Sequence, residues 1–324
     1  ADDDCDSSRR RGEVEFRGAV NEAADGGRLG FWTIGSQRVE VDASTEFDDG
    51  RLRLGVCVKV EGLRRADGSV RASEIEVETS SGSCVFPDGI VNAATLSGDT
   101  VSPGEVLSIF GLQMGPSVGA SLRVGGDRVQ PEAGGVRVWF DSTPAPVLFA
   151  RNDQVNVVTP YSIAGKSSVQ VQVEWQGAWS RAVRLPVRNV NPGLLTLAQG
   201  GGGQAAALNV AANGGVAVNG PANPAREGQA VTLFGVGAGP LRQALADGSI
   251  VRADNLPRPQ APVRVTIGGR EAAVTYAGGA TGLVLGVIQV NVVVPPGAGQ
   301  GNSVPVLMEI GGVASQPGVT LALQ

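Results

Sequence analysis

Histidine is absent from the 324-residue chain. That removes Ser-His-Asp and Cys-His triads, imidazole metal ligands and the commonest general base near neutral pH. For a chain of this length the absence argues against an enzyme and leaves no cofactor chemistry indicated. Long apolar runs are missing too. The longest, around Leu283–Val294, is interrupted by Gly286, Gln289 and Asn291, so it makes no membrane-spanning helix. Helical periodicity is equally scarce: no dozen residues free of Gly and Pro repeat their apolar positions at the helical spacing. The chain opens at Ala1 with no signal-peptide core, as expected of an exported protein whose signal has been removed. Export would permit its three cysteines to form disulfides.

What is present is glycine, 48 residues, together with 19 prolines, a density of turn signals that favours short strands. Net charge is a mild −5, unevenly spread: residues 1–85 hold 18 acidic and 12 basic side chains, leaving the remainder at +1. Residues 1–12, ADDDCDSSRRRG, form a polar tail. Residues 13–79 alternate in five runs (EVEFRGAV, RLGFWTIG, QRVEVDAS, VCVKVEG, VRASEIEVE) separated by turns, which predicts a small OB-like five-stranded barrel. Such a barrel invites a nucleic-acid reading, but this one carries 14 acids against 9 bases and few aromatics, which excludes the basic, ring-lined groove that single strands need. Residues 80–87 read as a linker.

Beyond it an internal repeat appears. PGEVLSIFGLQMGP (103–116) aligns with EGQAVTLFGVGAGP (227–240), QVNVVTP (154–160) with QVNVVVP (289–295), and VQVQVEWQGAWS (169–180) with VPVLMEIGGVAS (304–315). Three blocks in one order mean two copies of one domain, 88–190 and 191–324. Each has strand patterns and turn spacing that predict an immunoglobulin-like β-sandwich, so the fold class is all-β.

Motifs that could carry chemistry are weak. Ala164-Gly165-Lys166-Ser167 ends like a phosphate loop, but Pro160 stands where the first glycine belongs. Gly235–Gly239 looks like a dinucleotide loop, yet its repeat partner Gly111–Gly115 lacks the middle glycine, so both read as one structural turn. Glu105, Asp141, Asp153 and Glu174 are candidates for a glycosidase pair, without a spacing that selects two of them. The Asp2–Asp6 cluster lacks a glycine-turned calcium loop, and no metal site is indicated. Trp139 alternates against Val136, Val138 and Phe140 and so should point out of the core, while Trp179 follows the turn at Gly177. Both are binding or interface candidates. The hairpin turning at Ala66–Gly68 brings Cys57 opposite about Val77, which predicts a Cys57–Cys84 disulfide. Cys5–Cys84 is the alternative, and in the first pairing Cys5 is left for an intermolecular bond.

The segments IVNAATLSGDTVSPGEVLSIFG, TPAPVLFARNDQVNVVTPYSIAG, GQAAALNVAANGGVAVNGPANPAREGQAVTLFG and LPRPQAPVRVTIGGREAAVTYAGGATGLVLGVIQVNVVVP resemble the Solibacter C-terminal domain family over roughly residues 88–324. The resemblance implies tandem extracellular sandwiches of the type found in bacterial surface proteins, with no known activity. Residues 13–79 are similar to a secreted OB-like family of unknown function through GAV, VEVDASTEF, LGVCVKVEG and DGSVRASEIEV, with Cys57 where that pattern usually has a polar residue. The expected function is a non-catalytic structural or adhesive subunit of an assembly of the cell exterior, such as a fibre, stacked head to tail. The alternative is a secreted glycan-binding module using its tryptophans. Neither nucleic acid nor membrane insertion is expected.

Overall fold

The computed structural model describes residues 12–22, 29–35, 37–48, 52, 56–79, 83–243 and 245–324. The protein is all-β. Its N-terminal barrel uses β1 (Glu13–Glu22), β2 (Gly30–Ile34), β3 (Gln37–Val41), β4 (Glu46–Asp48), β5 (Cys57–Arg64) and β6 (Val70–Thr79). They run in the order β3-β2-β1-β5-β6-β4, and a parallel β3–β6 pairing closes the circle. Alternation drives this: Ile34, Val39, Val58, Val60 and Ile75 are fully buried, and their acidic and basic neighbours in sequence face outward. The five expected runs are all strands. A sixth, β4, was not expected; it is three residues long and pairs in parallel with β6.

The first sandwich comprises β7 (Cys84–Asn92), β8 (Val106–Leu112), β9 (Ala120–Ser121), β10 (Val124–Gly125), β11 (Arg128–Val129), β12 (Val136–Phe140), β13 (Thr143–Pro144), β14 (Val147–Ala150), β15 (Gln154–Val158), β16 (Ser168–Trp175), β17 (Ala178–Trp179) and β18 (Val183–Pro186). One layer is β7-β8-β15-β14-β9. The other is β13-β12-β16-β17, with β18 also on β16. Between them Leu107, Ile109, Phe140, Val155 and Val171 are completely buried. Its first strand starts at Cys84, four residues before the expected boundary at Asp88, because Cys84 and Val85 already pair with Leu112 and Gly111.

The second sandwich comprises β19 (Gly193–Leu194), β20 (Gly203–Gln204), β21 (Ala207–Val210), β22 (Val216–Val218), β23 (Ala230–Val236), β24 (Val263–Ile267), β25 (Arg270–Gly279), β26 (Ile288–Val293), β27 (Gly301–Ile310), β28 (Val313–Ala314) and β29 (Val319–Leu323). The repeat is reproduced down to single hydrogen bonds. Ser180 Oγ accepts from Val173 N, and Ser315 Oγ accepts from Met308 N. A bulge interrupts β14 between Val147 and Phe149, and its equivalent interrupts β25 between Val274 and Tyr276. The copies differ at the strand that changes layers. In the first, Pro144 and Pro146 break it into β13 and β14. In the second it continues as β25, which pairs with β24 and then with β26.

A third apolar cluster joins the sandwiches. Val106, Val129 and Val158 of the first meet Val236 and Val284 of the second, all at most 8% exposed. Beside it lies the Gln316 amide, which donates to the Ala94 and Leu194 carbonyls and accepts from Leu194 N. The two copies therefore share buried surface.

The barrel is fastened to the first sandwich by a Cys57–Cys84 disulfide with a Cα–Cα separation of 5.8 Å. Cys57 pairs with Thr79, not Val77, because a bulge next to Cys57 shifts the register. Arg181 and Glu76 also approach to 4.0 Å across this junction. Cys5 lies outside the described residues. Closing a loop over a sequence separation of 27 should stabilise the barrel by about 3 kcal/mol. Cys84→Ser should lower the barrel's calorimetric transition and leave that of the sandwiches in place. An unmoved barrel transition would show that the bond carries no constraint.

Candidate binding surface

The outer face of the β13-β12-β16-β17 layer is built by strict alternation. On β16, Val169, Val171 and Val173 face the core, so Gln170, Gln172 and Glu174 face out. On β12 the same rule turns Arg137 and Trp139 outward. Register then brings the outward groups together. Arg137 lies opposite Glu174, Trp139 opposite Gln172, and Trp179 opposite Glu174 from the other side.

The two tryptophans meet over this face with ring centroids 5.7 Å apart and planes tilted by 31°. That is a tilted ring contact within the distance range of aromatic pairs that add about 0.5–1.5 kcal/mol beyond simple burial. Trp139 Nε1 donates to Glu174 Oε2 at 2.9 Å, so its polar edge is satisfied. Gln172 Nε2 donates to the Ser180 carbonyl. Trp139 is on the outer face yet half-buried, because Trp179 covers part of it; Trp179 itself is 46% exposed. The surface is a creased aromatic platform rimmed by Arg137, Gln170, Gln172 and Arg184.

The second sandwich is an internal control. Its register places Thr266 where Trp139 stands, Leu307 at Gln172, Ala314 at Trp179, and keeps Arg264 opposite Glu309 as Arg137 is opposite Glu174. The charged pair recurs and the rings do not. This sandwich therefore folds without a tryptophan pair, and packing alone does not demand one in the first copy.

The other candidates are dispersed. Glu105 is fully buried at the joint, where Oε2 accepts from Ser102 N at 2.6 Å and Oε1 from Asn191 Nδ2 at 2.8 Å. Burial pushes its carboxyl up to about 7. Asp141 accepts from Gln170 N and from Lys166 Nζ, contacts that hold it below the ordinary carboxylate range. Lys166, the lysine of the phosphate-loop-like turn, is thus engaged with a carboxylate. Asp153 is engaged by Arg151. Each carboxylate is bound into its own corner. Among the described residues no group of His, Cys, Asp or Glu has metal-binding geometry, and the Asp2–Asp6 cluster lies outside them. In the barrel, Trp32 is core, Phe16 and Phe47 pack against it, and Phe31 is exposed beneath the Arg38 guanidinium, 4.0 Å from its ring. Among the described residues no helix is long and apolar enough to cross a membrane.

The sequence points to Trp139 and Trp179 one at a time, and their contact is a feature of the fold. The signal was available: Glu174 sits three residues before Gly177, so a tight hairpin folds Trp179 back beside it. The buried Glu105–Asn191 contact had no local signal.

No curated protein matches the chain. Among solved structures it is similar to SGBP-B from a complex xyloglucan utilization locus in Bacteroides uniformis, at 13% identity and a TM-score of 0.21, over 68% of this chain. The chain spans 46% of that protein's length. Residues 17–76, most of the barrel, match the family described as a domain of unknown function, DUF5666.

Proposed function

We propose that this is a non-catalytic carbohydrate-binding protein of the cell exterior, with the Trp139–Trp179 platform as its sugar-binding surface. The observation that carries the reading is the ring pair on an open sheet face, half-buried Trp139 beside exposed Trp179, present in one copy of a repeated domain and replaced by Thr266 and Ala314 in the other. An indole face stacks on the apolar C–H face of a pyranose, while flanking amide and guanidinium groups bond its hydroxyls. Trp139 Nε1 is already bonded to Glu174, which leaves the ring face as its contribution. Gln170, Gln172, Arg137 and Arg184 supply the polar rim. The tandem sandwiches and the disulfide suit an extracellular address, as does the resemblance to the Solibacter C-terminal domain family.

Head-to-tail self-association is a separate proposal that depends on the tail, and residues 1–11 lie outside the described residues. The glycan reading ranks above it because its groups are in place.

Affinity electrophoresis against a panel of neutral and acidic polysaccharides is the test. At least one should retard the protein. Trp179→Ala should weaken that retardation by about tenfold or more, equivalent to about 1.4 kcal/mol. A Thr266→Ala control in the second sandwich should leave it unchanged. Equal retardation of the native protein and Trp179→Ala, or no retardation by any polysaccharide, would remove the proposal.

A further inference from the structure

The two sandwiches also differ at the free edge of the strand that changes layers. In the first copy that edge is covered by the chain itself: β9 pairs with β14, through Ser121 opposite Phe149 and Ala120 opposite Ala150. Leu122 N donates to the Leu148 carbonyl, and Val147 N donates to the Gln130 carbonyl. The repeat fixes the equivalents in the second copy as Val274, Thr275, Tyr276 and Ala277. Val274 and Tyr276 pair with Val292 and Asn291, just as Val147 and Phe149 pair with Val157 and Asn156. Among the described residues, no backbone group covers the outer edge of Val274–Ala277; coverage resumes where Gly279 N donates to the Pro257 carbonyl.

A cleft lies in that place, between residues 274–277 on one side and Arg242, Arg258, Pro259 and residues 261–263 on the other. Its charged side chains are Arg242 and Arg258, and among the described residues no acid lines it. The Arg258 guanidinium stands 5.0 Å over the Tyr276 ring. Arg242 uses Nε on the Pro259 carbonyl, and among the described residues its two terminal nitrogens have no hydrogen-bond partner. Both arginines are exposed. An open strand edge flanked by two uncompensated guanidinium groups is a site for strand addition with a sign.

We propose that the Val274–Ala277 edge takes up an extended, acidic peptide segment of a separate protein as an added strand. Its backbone would occupy the place that β9 fills in the first copy, and its carboxylates would meet Arg242 and Arg258. Bidentate guanidinium contacts would select acid over base, and the alternation of the added strand would set which side chains face the arginines.

The test uses three labelled octapeptides and fluorescence anisotropy with the whole protein. One alternates Glu and Val, the second alternates Lys and Val, and the third is the Glu–Val peptide with its backbone nitrogens methylated. The acidic peptide should bind saturably and the other two at least about tenfold more weakly. The double variant Arg242→Glu/Arg258→Glu should lose the acidic peptide and gain the lysine one. Both positions are surface sites, and an unchanged melt would confirm that the variant folds. Equal binding of the acidic and methylated peptides would reduce the site to a charge patch and overturn strand addition. So would failure of the acidic peptide to saturate. Concentration-dependent dimers that the acidic peptide dissolves and the double variant lacks would transfer the edge to a second copy of this chain, overturning a separate partner.

Discussion

Replacing Gly237 by alanine should destabilise the paired sandwiches by more than about 3 kcal/mol, far beyond the effect of an ordinary loop glycine. Gly237 is the middle glycine of Gly235–Gly239, the segment that looks like a dinucleotide loop. Two penalties coincide there. Its φ is +74°, a left-handed conformation that costs an L-residue about 1–2 kcal/mol. A β-carbon would also be driven into the Asn191 carbonyl, whose own amide donates to the Gly237 oxygen. Neither backbone can yield without opening the joint between the copies. Gly214 supplies the comparison: its φ is +81°, but no atom lies within 4 Å of the position a β-carbon would take. Gly214→Ala should therefore cost only the conformational part, about 1–2 kcal/mol. Urea midpoints with unchanged slope would measure both. If the two variants cost the same, crowding at Asn191 is not what requires the glycine.

The same position shows why part of the fold was legible in the sequence and part was not. Alternation in Gln37–Val41 or Ser168–Trp175 states which face is buried, since a one-residue slip would expose every valine. Repetition of three blocks states that there are two sandwiches. Both signals are local or self-referential. β4 escaped notice because Glu46–Asp48 has one apolar residue and its pairing partner lies nearly thirty residues away. The joint escaped notice for another reason. Val106, Val158, Val236 and Val284 look like any core valine, and nothing near them in sequence tells a valine that faces its own sandwich from one that faces the next. At the candidate surface, the outward direction of Trp139 followed from period two. Its partial burial did not, because the group covering it arrives through a different hairpin.

The stability of the joined sandwiches should fall as pH rises from about 5 to 7, and Glu105→Gln should remove most of that slope. In the folded protein burial holds the Glu105 carboxyl at about 7, against 4.5 for an ordinary glutamate. Below 4.5 both states are protonated and the group makes no pH-dependent difference. Between the two values the unfolded chain releases its proton while the folded chain keeps it, so deprotonation favours unfolding. The loss is complete once pH passes the folded value, and amounts to about 3 kcal/mol. For a region of this size that is on the order of 6–12 °C in melting midpoint. Glutamine keeps the carbonyl that accepts from Ser102 N and cannot ionise. Its amide would face Asn191 Nδ2, donor to donor, so the Asn191 side chain must turn over, and some absolute stability is lost at acid pH. The slope is therefore the diagnostic, not the midpoint. Differential scanning calorimetry of both proteins at intervals between pH 5 and 8 separates the effects, because all other titrating groups are common to the pair. Parallel curves would mean that Glu105 does not retain its proton in the folded joint. Converging curves would identify the carboxyl buried between two copies of a repeated domain as a cost of ionisation that this fold carries at neutral pH.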